Sequence, residues 1–332
     1  MPPATTTGPA VVLVTSRSFS SGDLDLAGEV TAAGATIVTG PSDHDLETLR
    51  PLLATATAWI AGTGPVTAAH LDAAPDLRVV ARYGVGTEAV DLAAAAERGV
   101  LVTNTPGANS GAVADLAVAL VLAALRDVVP GDRGVRAGRW DVRRARELGG
   151  LTVGIVGLGR IGRGVAARLA GFGSPLLGCD PWVPPAELER LGIEGVDLDD
   201  LARRSDVVSL HAPGDAVLVD AAFLEITRPG LVLVNTARAA LVDEAAVADA
   251  LRAGRLGAYA SDVLASEAGD HASPLLAEDL ADQTLFTPHA GAQTVEAVDQ
   301  MGRGAVDAVL ACLRGEQPPN LVRPPAAPEG DA

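Results

Sequence analysis

Arg238, Glu267 and His289 are the three polar residues of the C-terminal half whose types and placement could do chemistry together. Arg238 follows the apolar run Leu231-Val232-Leu233-Val234-Asn235-Thr236-Ala237, Glu267 follows Asp262-Val263, and His289 follows Leu285-Phe286-Thr287-Pro288. Each stands at or just beyond a predicted strand end, where doubly wound folds gather their ligands. Singly, each has a plainer reading as a carbonyl cap, a loop acid and a satisfied loop histidine. Together they offer an electrophile, an orienting acid and a proton donor.

A partner for that chemistry is written upstream. Val153-Gly154-Ile155-Val156 leads into Gly157-Leu158-Gly159-Arg160-Ile161-Gly162, and Val165–Ala170 follows with helical character. In that strand–turn–helix setting Gly157 permits the turn, Gly159 lets a pyrophosphate approach the backbone, and Gly162 lets helix and strand pack closely. A second apolar run, Pro175–Cys179, ends in Asp180, 18 positions after Gly162. An acid there accepts the adenosine ribose hydroxyls and repels a 2′-phosphate, so the pair predicts NAD and not NADP.

Those residues need a scaffold, and the chain has room for two domains. It has 332 residues, 48% hydrophobic and 20% charged, which is a globular composition. The net charge of −17 argues against nucleic acid or an anionic membrane as a partner. Every one of the 25 basic residues is arginine, so lysine-dependent chemistry is excluded. An apolar run long enough for a membrane span is absent, and the Pro/Thr-rich start does not read as a signal peptide. Two cysteines, Cys179 and Cys312, are too few for a disulfide framework, and a reducing cytoplasm is the expected location. His44, His70, His211, His271 and His289 have no ligand spacing, so no metal is expected.

From position 10 short apolar runs alternate with amphipathic stretches. Strands are predicted at 10–15, 36–39, 58–61, 77–82 and 100–104, with helices at 23–33, 43–53, 67–74 and 92–98 between them. A second series begins at Leu151, with later strands at 207–210, 231–235, 257–261 and 285–287 and a closing helix at 294–313. The rhythm predicts two Rossmann/flavodoxin-like doubly wound parallel-sheet α/β domains with an interdomain cleft. The expected division is residues 8–105 plus 295–320 for a substrate domain, 106–294 for the nucleotide domain, and 321–332 as a disordered tail. Residues 112–129 read as one almost wholly apolar helix ended by Pro130-Gly131, and a helix apolar all round predicts a homodimer interface. Arg133, Arg136, Arg139, Arg143, Arg144 and Arg146 read as a solvated segment, with contact to a partner or an anionic substrate as the alternative.

In these separated motifs the chain resembles the D-isomer-specific 2-hydroxyacid dehydrogenase family over Ala10 to Pro319, closest to phosphoglycerate dehydrogenase-like members without a regulatory domain. The resemblance implies that Gly157, Gly159, Arg160, Ile161, Gly162, Asp180, His211, Ala212, Pro213, Thr236, Ala237, Asp262 and Gly291 contact NAD, with Asp262 accepting from the nicotinamide carboxamide. It implies that Tyr83, Gly84, Val85 and Gly86 hold the substrate carboxylate on backbone N–H groups, and that Asn104–Ser110 is a hinge. Arg238 would bind the carboxylate and polarise the carbonyl, His289 would exchange the proton, and Glu267 would hold the imidazole charged. The implied substrate is a 2-hydroxy or 2-oxo acid such as phosphoglycerate, glyoxylate or hydroxypyruvate. The chain departs from the pattern at Gly214-Asp215, at Ala239-Ala240 after Arg238, and at Ala268 after Glu267. A catalytically silent dinucleotide sensor or corepressor on the same fold is the competing expectation; it would have no need of a proton donor.

Overall fold

The computed structural model describes residues 9–214, 216–266 and 272–324. Contacts divide the chain into Met1–Asn109 with Gln293–Ala332, here unit 1, and Ser110–Ala292, unit 2.

Unit 1 alternates β1 (Val11–Val14), α1 (Leu26–Ala32), β2 (Thr36–Thr39), α2 (Leu46–Leu53), β3 (Ala58–Ala61), α3 (Ala68–Asp72), β4 (Val79–Arg82), α4 (Leu92–Glu97) and β5 (Leu101–Thr103). The strands form a parallel sheet in the order β2-β1-β3-β4-β5. Strands β3 and β4 are buried along their whole length, as expected where helices cover both faces. The predicted helices at Asp23 and Asp43 start later, at Leu26 and Leu46. Asp25 and Asp45 lie outside them as caps, accepting from Gly28 N and Thr48 N.

Beneath this sheet's carboxyl end lies a polar cluster that closes on itself. Thr15 Oγ1 lies 2.7 Å from His44 Nε2 and accepts from Trp59 Nε1 (3.0 Å) and Gly62 N (3.2 Å). His44 Nδ1 lies 2.9 Å from Pro65 O, which can only accept, so Nδ1 carries the proton and Nε2 takes the threonine hydroxyl. His70 Nε2 donates to His44 O (2.8 Å) while its Nδ1 accepts from Thr67 N (3.2 Å). Burial lowers the His44 pKa to about 4.

Unit 2 opens with α5 (Ser110–Leu125) and α6 (Val128–Arg136) and continues through β6 (Val153–Val156), α7 (Arg160–Ala170), β7 (Leu176–Cys179), α8 (Pro185–Arg190), β8 (Glu194–Gly195), α9 (Leu198–Arg204), β9 (Val207–Leu210), α10 (Ala221–Ile226), β10 (Leu231–Asn235), α11 (Glu244–Arg252), β11 (Leu256–Ser261) and β12 (Thr284–Phe286). Among the described residues its parallel sheet has the order β12-β11-β10-β9-β6-β7-β8. The winding runs outward from β6 in both directions, so the topological switch point, where such folds bind ligands, lies between β6 and β9. The last helix, α12 (Val295–Leu313), belongs to unit 1 and packs on β3, β4 and α1.

Two expectations require correction. Residues 112–129 are not one helix: α5 ends at Leu125, Asp127 is left-handed (φ 51°), and Pro130 sits in the first turn of α6, where its missing N–H has no helical partner to lose. The apolar surface of α5 packs in large part against α7, β10 and β11 of its own unit, with Ala119 exposed and Leu116, Leu122, Ala123 and Ala124 half-buried. The C-terminal tail is also not wholly without structure. Leu321 bridges Thr103 in antiparallel fashion and Val322 N donates to Val102 O at 2.8 Å. Strand β5 is an edge, and its unpaired backbone groups take the passing segment.

Candidate active site

Strand β6 is fully buried and delivers the glycine turn at its carboxyl end. Gly157 has φ +87°, and a Cβ there would lie 2.6 Å from Ala212 N and from the His211 carbonyl carbon. A Cβ on Gly162 would collide with Gly157 O. Around Gly159 the space is open, with no heavy atom within 4 Å of an added Cβ. Gly159 is the N-cap of α7 and makes no side-chain cap, so the helix presents backbone N–H groups there. Open space and uncapped donors fit the pyrophosphate of a dinucleotide. Asp180, at the end of β7, accepts from Leu158 N (2.7 Å) and Trp182 N (2.9 Å). That uses two of the roughly four acceptor positions of a carboxylate and leaves the others for ribose hydroxyls.

His211 follows β9 across the switch point. Its Nε2 lies 2.9 Å from Ser209 Oγ, and desolvation lowers its pKa to about 4. It is therefore a neutral polar wall and adds no cation to the nucleotide side.

The next three strands carry the reactive residues. At the end of β10 the buried Asn235 side chain brackets the turn, with Oδ1 accepting from Ala237 N and Nδ2 donating to Arg238 O, both at 2.9 Å. Arg238 is extended there (φ −138°, ψ 137°), and its Nη1 donates to Ala237 O at 2.9 Å. At the end of β11, buried Asp262 holds the loop that follows β12. Its Oδ1 accepts from Thr287 Oγ1 and from Ala290 N (2.8 Å), and its Oδ2 accepts from Gly291 N (2.8 Å). Its backbone O accepts from His289 N at 3.1 Å. His289 itself is exposed, and its φ of 51° turns the chain sharply.

In unit 1 the loop after β4 is held from below. Arg82 donates from Nε to Gly86 O (3.0 Å) and from Nη1 to Ala61 O (3.2 Å), while Asn104 Nδ2 donates to Val85 O (2.8 Å). Tyr83 is buried, with its hydroxyl donating to Val298 O at 2.8 Å, and burial raises its pKa to about 12. Gly84 takes φ +141°, open to glycine alone among ordinary residues.

The NAD-binding-domain model of the D-isomer specific 2-hydroxyacid dehydrogenases matches residues 118–291, more than half of the chain. This chain belongs to that family. D-3-phosphoglycerate dehydrogenase of Mycobacterium leprae is 46% identical over 262 residues, covering 77% of this chain and 49% of the relative. The chain thus spans about half the length of the phosphoglycerate dehydrogenases it matches. Glyoxylate reductase of Korarchaeum cryptofilum is 38% identical over 78% of this chain and 80% of its own. A solved structure from Thermus thermophilus superposes with a TM-score of 0.85 at 34% identity, covering 94% of this chain and 99% of that one.

Within unit 2, Arg238, Asp262 and His289 emerge from the carboxyl ends of neighbouring strands of one sheet, which also presents the glycine turn. Thr236 and Ala237 lie in the Asn235 bracket, and Gly291 is bound to Asp262. Glu267 lies outside the described residues. On either side of it, Glu244 accepts from Ala265 N (2.8 Å) and Ser273 Oγ (2.6 Å). The sequence reading did not single out Asn235, Glu244 or Arg82 as site supports. All three act on backbone atoms distant in sequence or hidden in a turn, and only their polarity inside apolar surroundings signals them.

Proposed function

We propose that the chain interconverts 2-oxo and 2-hydroxy acids with NAD(H). The observation that carries this reading is the delivery of a guanidinium and an imidazole to the same sheet edge as the pyrophosphate-sized glycine turn. Gly157, Gly159, Arg160, Ile161, Gly162, Asp180, His211, Ala212, Pro213, Thr236, Ala237, Asp262 and Gly291 would hold the dinucleotide, which when bound supplies or accepts hydride at C2 of the acid. Arg238 grips the substrate carboxylate and polarises the adjoining carbonyl, a task suited to a planar fork of donors. His289 gives its proton to the oxygen during reduction and takes it back during oxidation. Glu267 orients the imidazole and favours its charged form. Asp262 keeps the His289 loop in place and retains an acceptor position for the carboxamide. Of the loop Tyr83, Gly84, Val85 and Gly86, the last two offer backbone donors to the carboxylate, whereas Tyr83 N and Gly84 N already donate to Ala61 O and Arg82 O at 2.9 and 3.0 Å.

The reading extends to assembly and location. The segment after α5 leaves Val142 90% and Trp140 82% exposed, and the homodimer contact proposed for residues 112–129 extends over it. Of its arginines, Arg133 and Arg143 pair with Asp282 at 3.0 and 2.6 Å and Arg146 with Asp206 at 3.4 Å. Free Cys179 and Cys312 suit the cytoplasm. No helix among the described residues is long and apolar enough to cross a membrane.

The test is NADH consumption with glyoxylate, hydroxypyruvate, 3-phosphohydroxypyruvate and branched 2-oxo acids. Turnover of at least one supports the reading. Tight NADH binding without turnover of any would favour the silent sensor.

A further inference from the structure

Asn235 is completely buried at the end of β10, and every polar group it owns except its N–H points at the supports of the two reactive residues. Its side chain brackets Ala237 N and Arg238 O, as described above. Its backbone O accepts from Asp262 N and Ser261 Oγ, both at 3.0 Å. Asp262 then binds Ala290 N, Gly291 N and His289 N. One continuous hydrogen-bonded line thus runs from the Arg238 turn through Asn235 and Asp262 to the His289 loop, crossing β10, β11 and the end of β12.

We propose that Asn235 is a positioning residue that fixes Arg238 and sets it in register with His289. The inference rests on the reading of Arg238 as the grip on the substrate. Its logic lies in the Ala237–Arg238 peptide. Arg238 Nη1 donates to Ala237 O, so the guanidinium is anchored on the same short turn that the Asn235 amide brackets. When that turn shifts, the guanidinium shifts with it. The position demands an acceptor and a donor on separate atoms of one short side chain, which the asparagine amide supplies at neutral pH. An ionised aspartate would keep the contact to Ala237 N but would set a second acceptor against Arg238 O. Protonated, it would restore a donor, and burial raises the pH at which that happens.

The test compares Asn235→Asp and Asn235→Ala with the unmodified protein, using NADH, a 2-oxo acid that is turned over, and oxamate as a substrate mimic. For Asn235→Asp above neutral pH, kcat/KM and oxamate affinity should each fall about 10²-fold, the effect of roughly an ångström of misplacement. NADH affinity should fall far less than kcat/KM, because the glycine turn and Asp180 hold the dinucleotide independently of the Thr236–Ala237 turn. As pH falls toward the carboxyl pKa, Asn235→Asp should recover at least about tenfold relative to the unmodified protein, while Asn235→Ala should not. A deficit in Asn235→Asp that does not change with pH, or oxamate affinity and kcat/KM within about threefold of normal in either variant despite a lowered Tm, would overturn the role. If Asn235→Ala fails to fold, the near-isosteric aspartate variant decides alone. An unmodified protein that turns over no 2-oxo acid would instead overturn the reading on which the role rests, and the role with it.

Discussion

Two histidines, one in each unit, stand on left-handed backbone and do opposite things with it. His44, with φ 60°, is 2% exposed in unit 1. Both its ring nitrogens have partners, in Thr15 and Pro65, and its backbone O receives His70. His289, with φ 51°, is exposed in unit 2, and its backbone N–H is bound to Asp262 O and Thr287 O. In the first case the ring is the structural element and the surroundings are shut. In the second the fold holds the backbone N–H of an exposed residue. Residue type and spacing do not separate the two; burial does.

The comparison can be broken most sharply at the ring itself. His289→Ala should lower kcat/KM by about 10²–10⁴-fold, the range for one positioned acid–base group, with the melting temperature little changed. A comparable loss of Tm would place His289 with the structural histidines. Arg238→Lys keeps a charge and loses the fork, and kcat/KM should fall by about 10²–10³-fold with NADH binding retained. Near-normal turnover in that variant would remove Arg238 from the site.

The glycine turn offers the same contrast between fold and function. Gly162→Ala drives a methyl into Gly157 O and should lower Tm by several degrees, as overpacking costs about 1–3 kcal/mol. Gly159→Ala meets no protein atom, so Tm should hold while NADH binding weakens about tenfold or more. Differential scanning fluorimetry with and without NADH separates the two, and equal Tm losses would show that the space at Gly159 is not reserved for a ligand.

His44 gives a pH signature in stability. Its folded pKa of about 4 lies below the ordinary 6.5, so the unfolded chain takes up the proton first. The stabilisation is complete above pH 6.5 and is lost as pH falls toward 4, by up to about 3 kcal/mol. His211 is shifted in the same direction and shares the effect. Denaturation midpoints in acid should therefore depend less on pH in His44→Gln, and an unchanged slope would contradict the closed cluster. The smallest effect is expected at Asp180, where Asp180→Ser should narrow a preference for NADH over NADPH, read from the ratio of the two kcat/KM values.

Much of this arrangement was legible in the chain. The parallel sheets followed from short apolar runs alternating with amphipathic stretches; Asp25, Asp45, Asp91, Asp197, Asp220 and Asp243, each accepting from the first turn of a helix, set where the helices begin. Arg238, Glu267 and His289 could be singled out because each stands at or beyond a predicted strand end. What stayed hidden depends on contacts between strands. Nothing in Val234-Asn235-Thr236 says that the amide of Asn235 turns back onto Arg238 O, or that Asp262 spends its carboxylate on the next loop. Residues 112–129 were read as an interface from their all-round apolar composition, which does not say how much of that surface α7 of the same unit takes. The break at Asp127 is a single left-handed residue without a glycine to announce it.

The tryptophans turn this architecture into an optical instrument. Trp59 is buried in unit 1, with its ring centroid 5.0 Å from that of His44 and 5.9 Å from that of His70, whereas Trp182 is 79% exposed and its N–H is bound to Asp180 at the candidate ribose position. Emission from Trp59 should lie to the blue and be quenched when the neighbouring imidazole gains a proton. Trp182 and the exposed Trp140 should both emit to the red, and of these Trp182 stands beside the ribose position. The blue edge of one spectrum should therefore track acid loosening of unit 1, and a change at the red edge that is lost in Trp182→Phe should track dinucleotide capture by unit 2, with no label attached.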